Sequence, residues 1–385
     1  MTLGTFVWCN LGRNRFRSIL TALAVAFSTF LVCAVLTLPS VRDGMLSSTA
    51  GSLRLATSHK AGLSYWLPLA HAQRVRTLPH VASVNHWTWF GGIYTDPTEQ
   101  FPNYAIDPET VAETWPDFDW DTQTLETFKR IRNGALVGVR TMEQFDWEVG
   151  DEITLRDSVF ALDLSFKIID QIPASPDEPL AVAFWFSRTY LEESVPNGFD
   201  HVSTLWIQVD EPQHLNTVKA AIDDLFRNSS AQTDTQTEFS MFASFLSSFD
   251  GLIAVVMLIG LLVVGAIALI VANTAAISMR ERTADVAVLK TLGFRRWTIF
   301  RLLLSESLLV ASLGGGLGAG LAYLVLNAGS SSWAPFLGPL SLFIMPVSVV
   351  VIGLVLALVI SLLAGIIPVF NATRLNVVTA LRQIA

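Results

Sequence analysis

Six histidines are the first candidates for chemistry: His59, His71, His80, His86, His201 and His214, all between positions 40 and 249. No two of them stand at the spacing of a metal-ligating pair, so they read as scattered surface residues and no metal site is expected. The run Asp117-Phe118-Asp119-Trp120-Asp121 offers oxygen ligands for Ca²⁺. It lacks the glycine and the distal glutamate of an EF-hand loop, and reads as a solvated loop face. No G-x-S-x-G, H-E-x-x-H or G-x-x-x-x-G-K-[ST] occurs in the 385 residues. A nucleophile elbow, a zinc-protease helix and an ATP phosphate cradle are therefore not encoded in them. No catalytic residue and no bound cofactor are expected, and any ATP and Mg²⁺ must be held by a separate ATPase chain.

What the sequence does carry is a contrast between apolar runs and a polar stretch. Half of the chain (51%) is hydrophobic and only 15% is charged. Crossing roughly 30 Å of hydrocarbon takes about 20 mostly apolar helical residues. Four runs qualify: Ser18–Leu38, Gly251–Ala272, Leu302–Leu326 and Pro346–Val369. Glu306 is the only charged residue in the third run, and the second and fourth have none. An ionisable group at that depth is costly unless paired, so Glu306 reads as a structural lock with Arg301 or Arg17 as its partner. A cleaved signal peptide is the alternative for the first run, but its apolar stretch is too long and no A-x-A site follows. Gly314, Gly315, Gly316, Gly318 and Gly320 give interleaved G-x-x-x-G steps that permit close helix contact, with the partner helix unreadable.

Basic residues at span ends give the orientation, because they stay on the cytoplasmic side. Arg13, Arg15 and Arg17 precede the first run. Arg280, Arg282, Lys290, Arg295, Arg296 and Arg301 fill the connection between the second and third, and Arg374 and Arg382 follow the fourth. The connection 327–345 has no Lys or Arg. The expected arrangement begins with an amphipathic segment (1–17), a first span (18–39) and an extracytoplasmic domain (40–249). A second span (250–277), an inner coupling loop (278–300) and a third span (301–327) follow. A short outer loop (328–345), a fourth span (346–369) and a tail (370–385) complete it, with both termini inside. Net charge is −8, yet the inner rim is basic, suited to anionic lipids and an acidic partner and not to a nucleic-acid role. The two cysteines, Cys9 and Cys33, lie outside the large domain, which must hold together without disulfides.

Within that domain, β-branched runs at 81–84, 91–94, 135–139, 153–155, 166–169 and 205–209 read as strands. Helices are expected at 70–78, 141–145, 187–193 and 213–228, giving an α+β domain. Val41–Leu55 reads as a helical continuation of the first span. Thr235–Asp250 reads as a helix leading into the second, and the two together as a stalk. The aromatics Trp87, Trp89, Phe90, Phe101, Trp115, Trp120, Trp147, Phe184, Trp185 and Phe186 read mostly as core, with some available to an amphiphile or a partner.

Several of these stretches together resemble the FtsX-like/MacB-like permease family of ABC systems. Asn14 to Leu23 is similar to the basic N-terminal helix of that family. The run Arg280-Glu281-Arg282-Thr283-Ala284-Asp285-Val286-Ala287-Val288-Leu289-Lys290-Thr291-Leu292-Gly293-Phe294, followed by Glu306, is similar to its E-R-T-x-E-I-x-[VL]-L-[KR]-A-L-G signature. Asp285 stands where Glu is usual and Phe294 where a small residue is usual. Pro368 to Arg382 resembles the closing P-A-x-x-A-x-[RK]-x-x-P-x-x-A-L-R, with Val377 in place of Pro. Gly134–Gly138 and Trp147–Leu155 resemble the outer-domain motifs of MacB and lipoprotein-releasing permeases.

The resemblance implies an inner-membrane permease of the mechanotransmission type: four transmembrane helices and a MacB-like periplasmic core domain between the first two. A cognate ABC ATPase dimer, a second copy or related permease, and a periplasmic adaptor are the implied partners. The implied work is export or extraction of an amphiphile, lipid or lipoprotein, peptide or drug. The alternatives are an FtsX-type regulator of a cell-wall hydrolase and a conventional transporter with a path through the membrane. The loop 278–300 would be the coupling element, with Val286, Leu289 and Leu292–Gly293 as an apolar ridge entering an ATPase cleft. Arg280, Glu281, Arg282, Asp285, Lys290 and Phe294 would flank it. Glu306, Gly314 and Gly318 would act structurally inside the membrane.

Overall fold

The computed structural model of the chain describes residues 15–95, 101–157, 159–175, 178–196, 198–281, 283–328 and 345–374. The expected N-terminal segment before residue 15, most of the loop 328–345 and the tail beyond 374 lie outside the described residues. Two compact units emerge. One comprises the described parts of 1–40, 250–329 and 343–385, and the other those of 41–249.

The long helices follow directly from apolar length. They are α1 (Arg15–Thr49), α9 (Asp250–Glu281), α11 (Arg296–Ala328) and α12 (Val347–Arg374). Among the described residues four stretches are long and apolar enough to cross a membrane: Ile19–Ser40, Asp250–Glu281, Arg296–Asn327 and Val347–Phe370. A short helix, α10 (Thr283–Thr291), stands between α9 and α11.

The second unit is built on a mixed ten-stranded sheet of order β12-β1-β11-β3-β5-β9-β6-β8-β7-β4. In chain order these are β1 (Arg54–His59), β3 (Val81–Trp89), β4 (Gly92–Ile93), β5 (Asn103–Ile106) and β6 (Gly134–Val137). Then come β7 (Glu152–Asp157), β8 (Asp163–Gln171), β9 (Phe184–Ser187), β11 (Thr204–Val209) and β12 (Thr233–Thr237). Strands β2 (Leu67–Pro68) and β10 (His201–Val202) form a separate pair. Interleaved are α2 (Ala70–Arg76), α3 (Val111–Thr114), α4 (Thr122–Arg130) and α5 (Val139–Phe145). Helices α6 (Arg188–Ser194), α7 (Leu215–Leu225) and α8 (Glu238–Ser247) follow.

Both faces of the sheet are covered, and the two-residue period of strands shows how. Along β9, Phe184 and Phe186 join a cluster with Phe90, Phe101, Trp147 and Phe166, while Trp185 between them joins Trp87, Trp115, Phe128 and Trp206. Along β11, Leu205 and Ile207 pack with Val75, Val84 and Phe226, and Trp206 goes to the tryptophan side. Each such side chain, fully buried, contributes roughly 1.5–3 kcal/mol. Strands β7 and β8 alternate exposed and buried residues and pair Ile153 with Phe166 and Leu155 with Leu164. The Gly150 that precedes them has φ 106°, and its N–H donates to the Ile168 carbonyl, which makes glycine the fitting residue in that turn.

Two expectations need correction. Helix α1 ends at Thr49, and Arg54 and Leu55 belong to β1, the second strand of the sheet. The segment Thr235–Thr237 is likewise strand β12, and its helix starts only at Glu238, where the Thr237 hydroxyl accepts the Ser240 N–H. The physical reason is a buried ion network that ties both segments into the sheet. Arg54 donates to the Glu238 carboxylate at 2.8 Å and to both oxygens of Asp117, and Ser52 donates to Glu238 as well. The side chains of Arg54 and Glu238 are only 6% and 4% exposed, so neither could sit there unpaired.

Candidate functional site

Helix α10 has only nine residues, so it cannot stand alone in water and must be anchored. Its spacing does this on one side. Val286 is buried and Leu289 half-buried in a cluster with Met279 of α9, Ile299 and Leu303 of α11, and Val369 of α12. The expected apolar ridge is thus divided. Val286 and Leu289, one turn apart, face the chain's own helices, whereas Leu292 is exposed. The apolar residues left open on the helix and just after it are Val288 (51% exposed), Leu292 (69%) and Phe294 (48%). Val288 and Leu292 stand four apart and form a second, outward stripe.

Gly293 works as a stop. Its φ of 86° places it in the left-handed region. The Phe294 N–H donates to the Leu289 carbonyl and the Gly293 N–H to the Lys290 carbonyl, both at 3.1 Å, which is the paired Schellman closure of a helix. At the other end the Thr283 hydroxyl donates to the Arg280 carbonyl at 2.7 Å.

Charges surround this element. Arg280, Glu281, Arg295, Arg296 and Arg301 are exposed. The Lys290 ammonium is pushed below its ordinary value, by desolvation first and by Arg296 second. Arg301 lies over the Trp297 ring at 5.5 Å, and Trp297 stacks on Phe300 at 5.0 Å while remaining 59% exposed. Arg282 and the side chain of Asp285 lie outside the described residues.

The intramembrane glycines have partners the sequence could not name. A Cβ added at Gly314 or Gly318 would collide with the carbonyl oxygens of Ala22 and Ala26 on α1, and one at Gly315 would press on Ala357 of α12. The glycine face therefore seats α11 against two different helices. Glu306 is half-buried on α11.

In the other unit the expectation of scattered surface histidines holds for His201, which is exposed, and fails for four of the others. His71 and His86 are buried, and His80 and His214 lie together. The acidic run is likewise divided: Asp117 pairs with Arg54, and Asp121 caps α4 by accepting the Thr124 N–H at 2.9 Å. Asp119, Trp120 and Asp121 line a cleft of about 420 Å³ together with Asp170 and Ile172. Most of the aromatics named above are core; Trp89 is 39% exposed.

Residues 18–225 match the model of the MacB-like periplasmic core domain, and residues 257–377 match that of the FtsX-like permease C-terminal region. The chain belongs to the MacB/FtsX-type family of ABC transporter permeases. An uncharacterized ABC transporter permease of Methanocaldococcus jannaschii is 22% identical to it, over 98% of this chain and 97% of that protein. The macrolide export ATP-binding/permease protein MacB of a Shewanella species is 25% identical, over 82% of this chain and 49% of that protein. The ABC transporter permease YtrF of Bacillus subtilis is 34% identical, over 32% of each. Among solved structures, the periplasmic region of MacB from Actinobacillus actinomycetemcomitans aligns at TM-score 0.37 and 9% identity, covering 51% of this chain and 93% of that one. The chain spans about half the length, or less, of most of the curated relatives it matches.

Proposed function

We propose that this chain is the permease of an ABC machine of the inner membrane, with α10 and both termini on the cytoplasmic side and ATP hydrolysed by a separate polypeptide. Two copies, or a pair of related permeases, would stand over an ATPase dimer. The observation that carries this reading is the two-sided helix α10, apolar inward at Val286 and Leu289 and apolar outward at Val288 and Leu292. An ATPase cleft that grips the outward stripe pushes on a helix whose inward side is packed against α9, α11 and α12. The push then moves the spans as a body and not the loop alone. The α/β domain would be the working end, acting on an amphiphile, lipid or lipoprotein, peptide or drug together with an extracytoplasmic adaptor.

The test is co-purification with the cognate ATPase and the ATPase rate of the complex. Leu292→Asp combined with Val288→Asp places charge where the cleft is apolar, at a cost of several kcal/mol. Complex recovery should fall at least tenfold, while the isolated chain keeps its thermal stability. Leu292→Met should be nearly silent, because size and polarity are kept. Normal recovery and normal coupled hydrolysis in the double variant would mean that the outward stripe is not the contact.

A further inference from the structure

Three donor groups outside the coupling element converge at one end of the sheet. His80 Nδ1 lies 2.9 Å from one carboxylate oxygen of Asp210, and His214 Nδ1 lies 2.7 Å from the other. The two imidazole rings stack with centroids 3.6 Å apart, and the three ligand atoms all fall within 4.8 Å of one another. The chain distance from His80 to His214 hides this arrangement from any local spacing rule.

Several backbone devices converge to build it. His80 holds φ at 68°, a left-handed conformation that a residue other than glycine adopts uncommonly. Its carbonyl accepts the Asp210 N–H at 3.2 Å, so the two residues are tied through the main chain as well. They sit at the ends of neighbouring antiparallel strands, β3 and β11, whose register slips by one residue between Gln208 and Val209. Such a bulge re-aims the side chains beside it. A one-turn helix, Pro212–His214, then returns His214 to Asp210 four residues on. A left-handed residue, a bulge and a short helix thus bring three side chains together from two backbone segments before any ligand arrives. Preorganisation of this kind is what a metal site needs.

We propose that His80, Asp210 and His214 form a binding site for a divalent transition-metal ion, Zn²⁺ by donor class. Two imidazole nitrogens and one carboxylate oxygen suit Zn²⁺ and its neighbours in the first transition row, while Ca²⁺ and Mg²⁺ prefer an all-oxygen set. Donors bound tetrahedrally to one zinc at about 2.0–2.2 Å lie roughly 3.3–3.6 Å from each other. On binding, the two nitrogen–oxygen contacts must widen and the stacked imidazole rings must turn apart until both ring planes meet at the ion. All three residues are partly open to solvent, with side chains 41%, 42% and 23% exposed in chain order, so water can complete the coordination. The ion would join the start of β3 to the connection between β11 and α7 and act as a staple.

The experiment uses the full chain in detergent, carrying no histidine tag, stripped with a chelator and dialysed against Zn²⁺. Bound metal is then measured per chain, and Co²⁺ is substituted as a spectroscopic probe. One Zn²⁺ per chain is expected, with at least a tenfold loss of affinity in His80→Gln, Asp210→Asn and His214→Gln, and with the Co²⁺ absorption lost in parallel. Excess Ca²⁺ and Mg²⁺ should not displace it. His201→Gln is the control: His201 is an exposed histidine beside a lone carboxylate, Asp200, and should bind as the parent does. Circular dichroism of each variant reports that the fold is kept. Absence of stoichiometric Zn²⁺ in the parent, or equal Zn²⁺ in the parent and the three variants, would overturn the proposal.

Discussion

The two units solve the packing problem by opposite means. The α/β unit fills both faces of its sheet with large aromatics, and Trp87 alone lies within 4.5–5.5 Å of Tyr104, Trp115, Trp185 and Trp206. The membrane unit brings helices together at glycine, where α11 meets the backbone of α1. Water explains the difference. In an aqueous domain apolar area removed from solvent is the driving force, so large side chains contribute most. Between helices in lipid that force is absent, and close backbone approach through small residues replaces it. Polar groups follow the same division: the α/β unit contains a satisfied ion network, and the spans contain almost no charge.

The largest expected effect tests the polar side of this contrast. Arg54→Met leaves the Glu238 carboxylate buried without its cation and should destabilise the α/β unit by about 3–5 kcal/mol. The double variant Arg54→Met with Glu238→Gln should recover much of that loss, since neither charge then remains. Chemical denaturation followed by tryptophan fluorescence reads both. Equal loss in the single and double variants would show that packing, and not the charge, matters at Arg54.

Next in size is the glycine contact. Gly318→Leu drives a side chain into the Ala26 carbonyl, which belongs to backbone and cannot swing aside, so a cost of about 3 kcal/mol is expected. Nothing lies within 4 Å of a Cβ at Gly316, so Gly316→Leu should stay close to the parent. Unfolding midpoints in mixed detergent compare the two. Should they fall equally, the α1–α11 seam is not where the glycines act.

The smallest effect separates the units by pH. His86 is buried, its Nδ1 has no hydrogen bond among the described residues, and its pKa is held down to about 4, by burial first and Arg188 next. Nearby, Asp107 opposes the shift and Arg76 adds to it. Because the folded value lies below the unfolded value of about 6.5, the unfolded chain binds more protons in the window between them, and stability falls as pH drops through it. A loss on the order of 2 kcal/mol is expected between about pH 7.5 and about pH 5. The loss should be flattened in His86→Gln and confined to the tryptophan signal of the α/β unit. An identical pH slope in His86→Gln would assign the loss to other groups.

Reading the sequence worked where a property is local. Twenty uncharged apolar residues specify a span wherever they occur, and runs such as Phe166–Ile169 or Leu205–Val209 carry their strand period with them. The inner loop was recognisable as one element because its motif is contiguous. Reading failed at β1 and β12, whose sequences RLATSH and TDTQT look polar and turn-like. They are strands because Arg54 finds Glu238 and Asp117, and because Thr57 and Thr235 bond side chain to side chain at 3.0 Å. These are partners that no local window contains.

The sequence by itself determined the membrane spans, the position of the large domain between the first two, and the family to which the chain belongs, since each rests on composition or contiguous pattern. Only the tertiary structure decided which side of α10 is already used, which helices the glycines of α11 meet, and that His80, Asp210 and His214 share one place. Each of these depends on contacts between residues far apart in the chain. Such contacts are set by strand register and helix packing, and a linear pattern does not carry them.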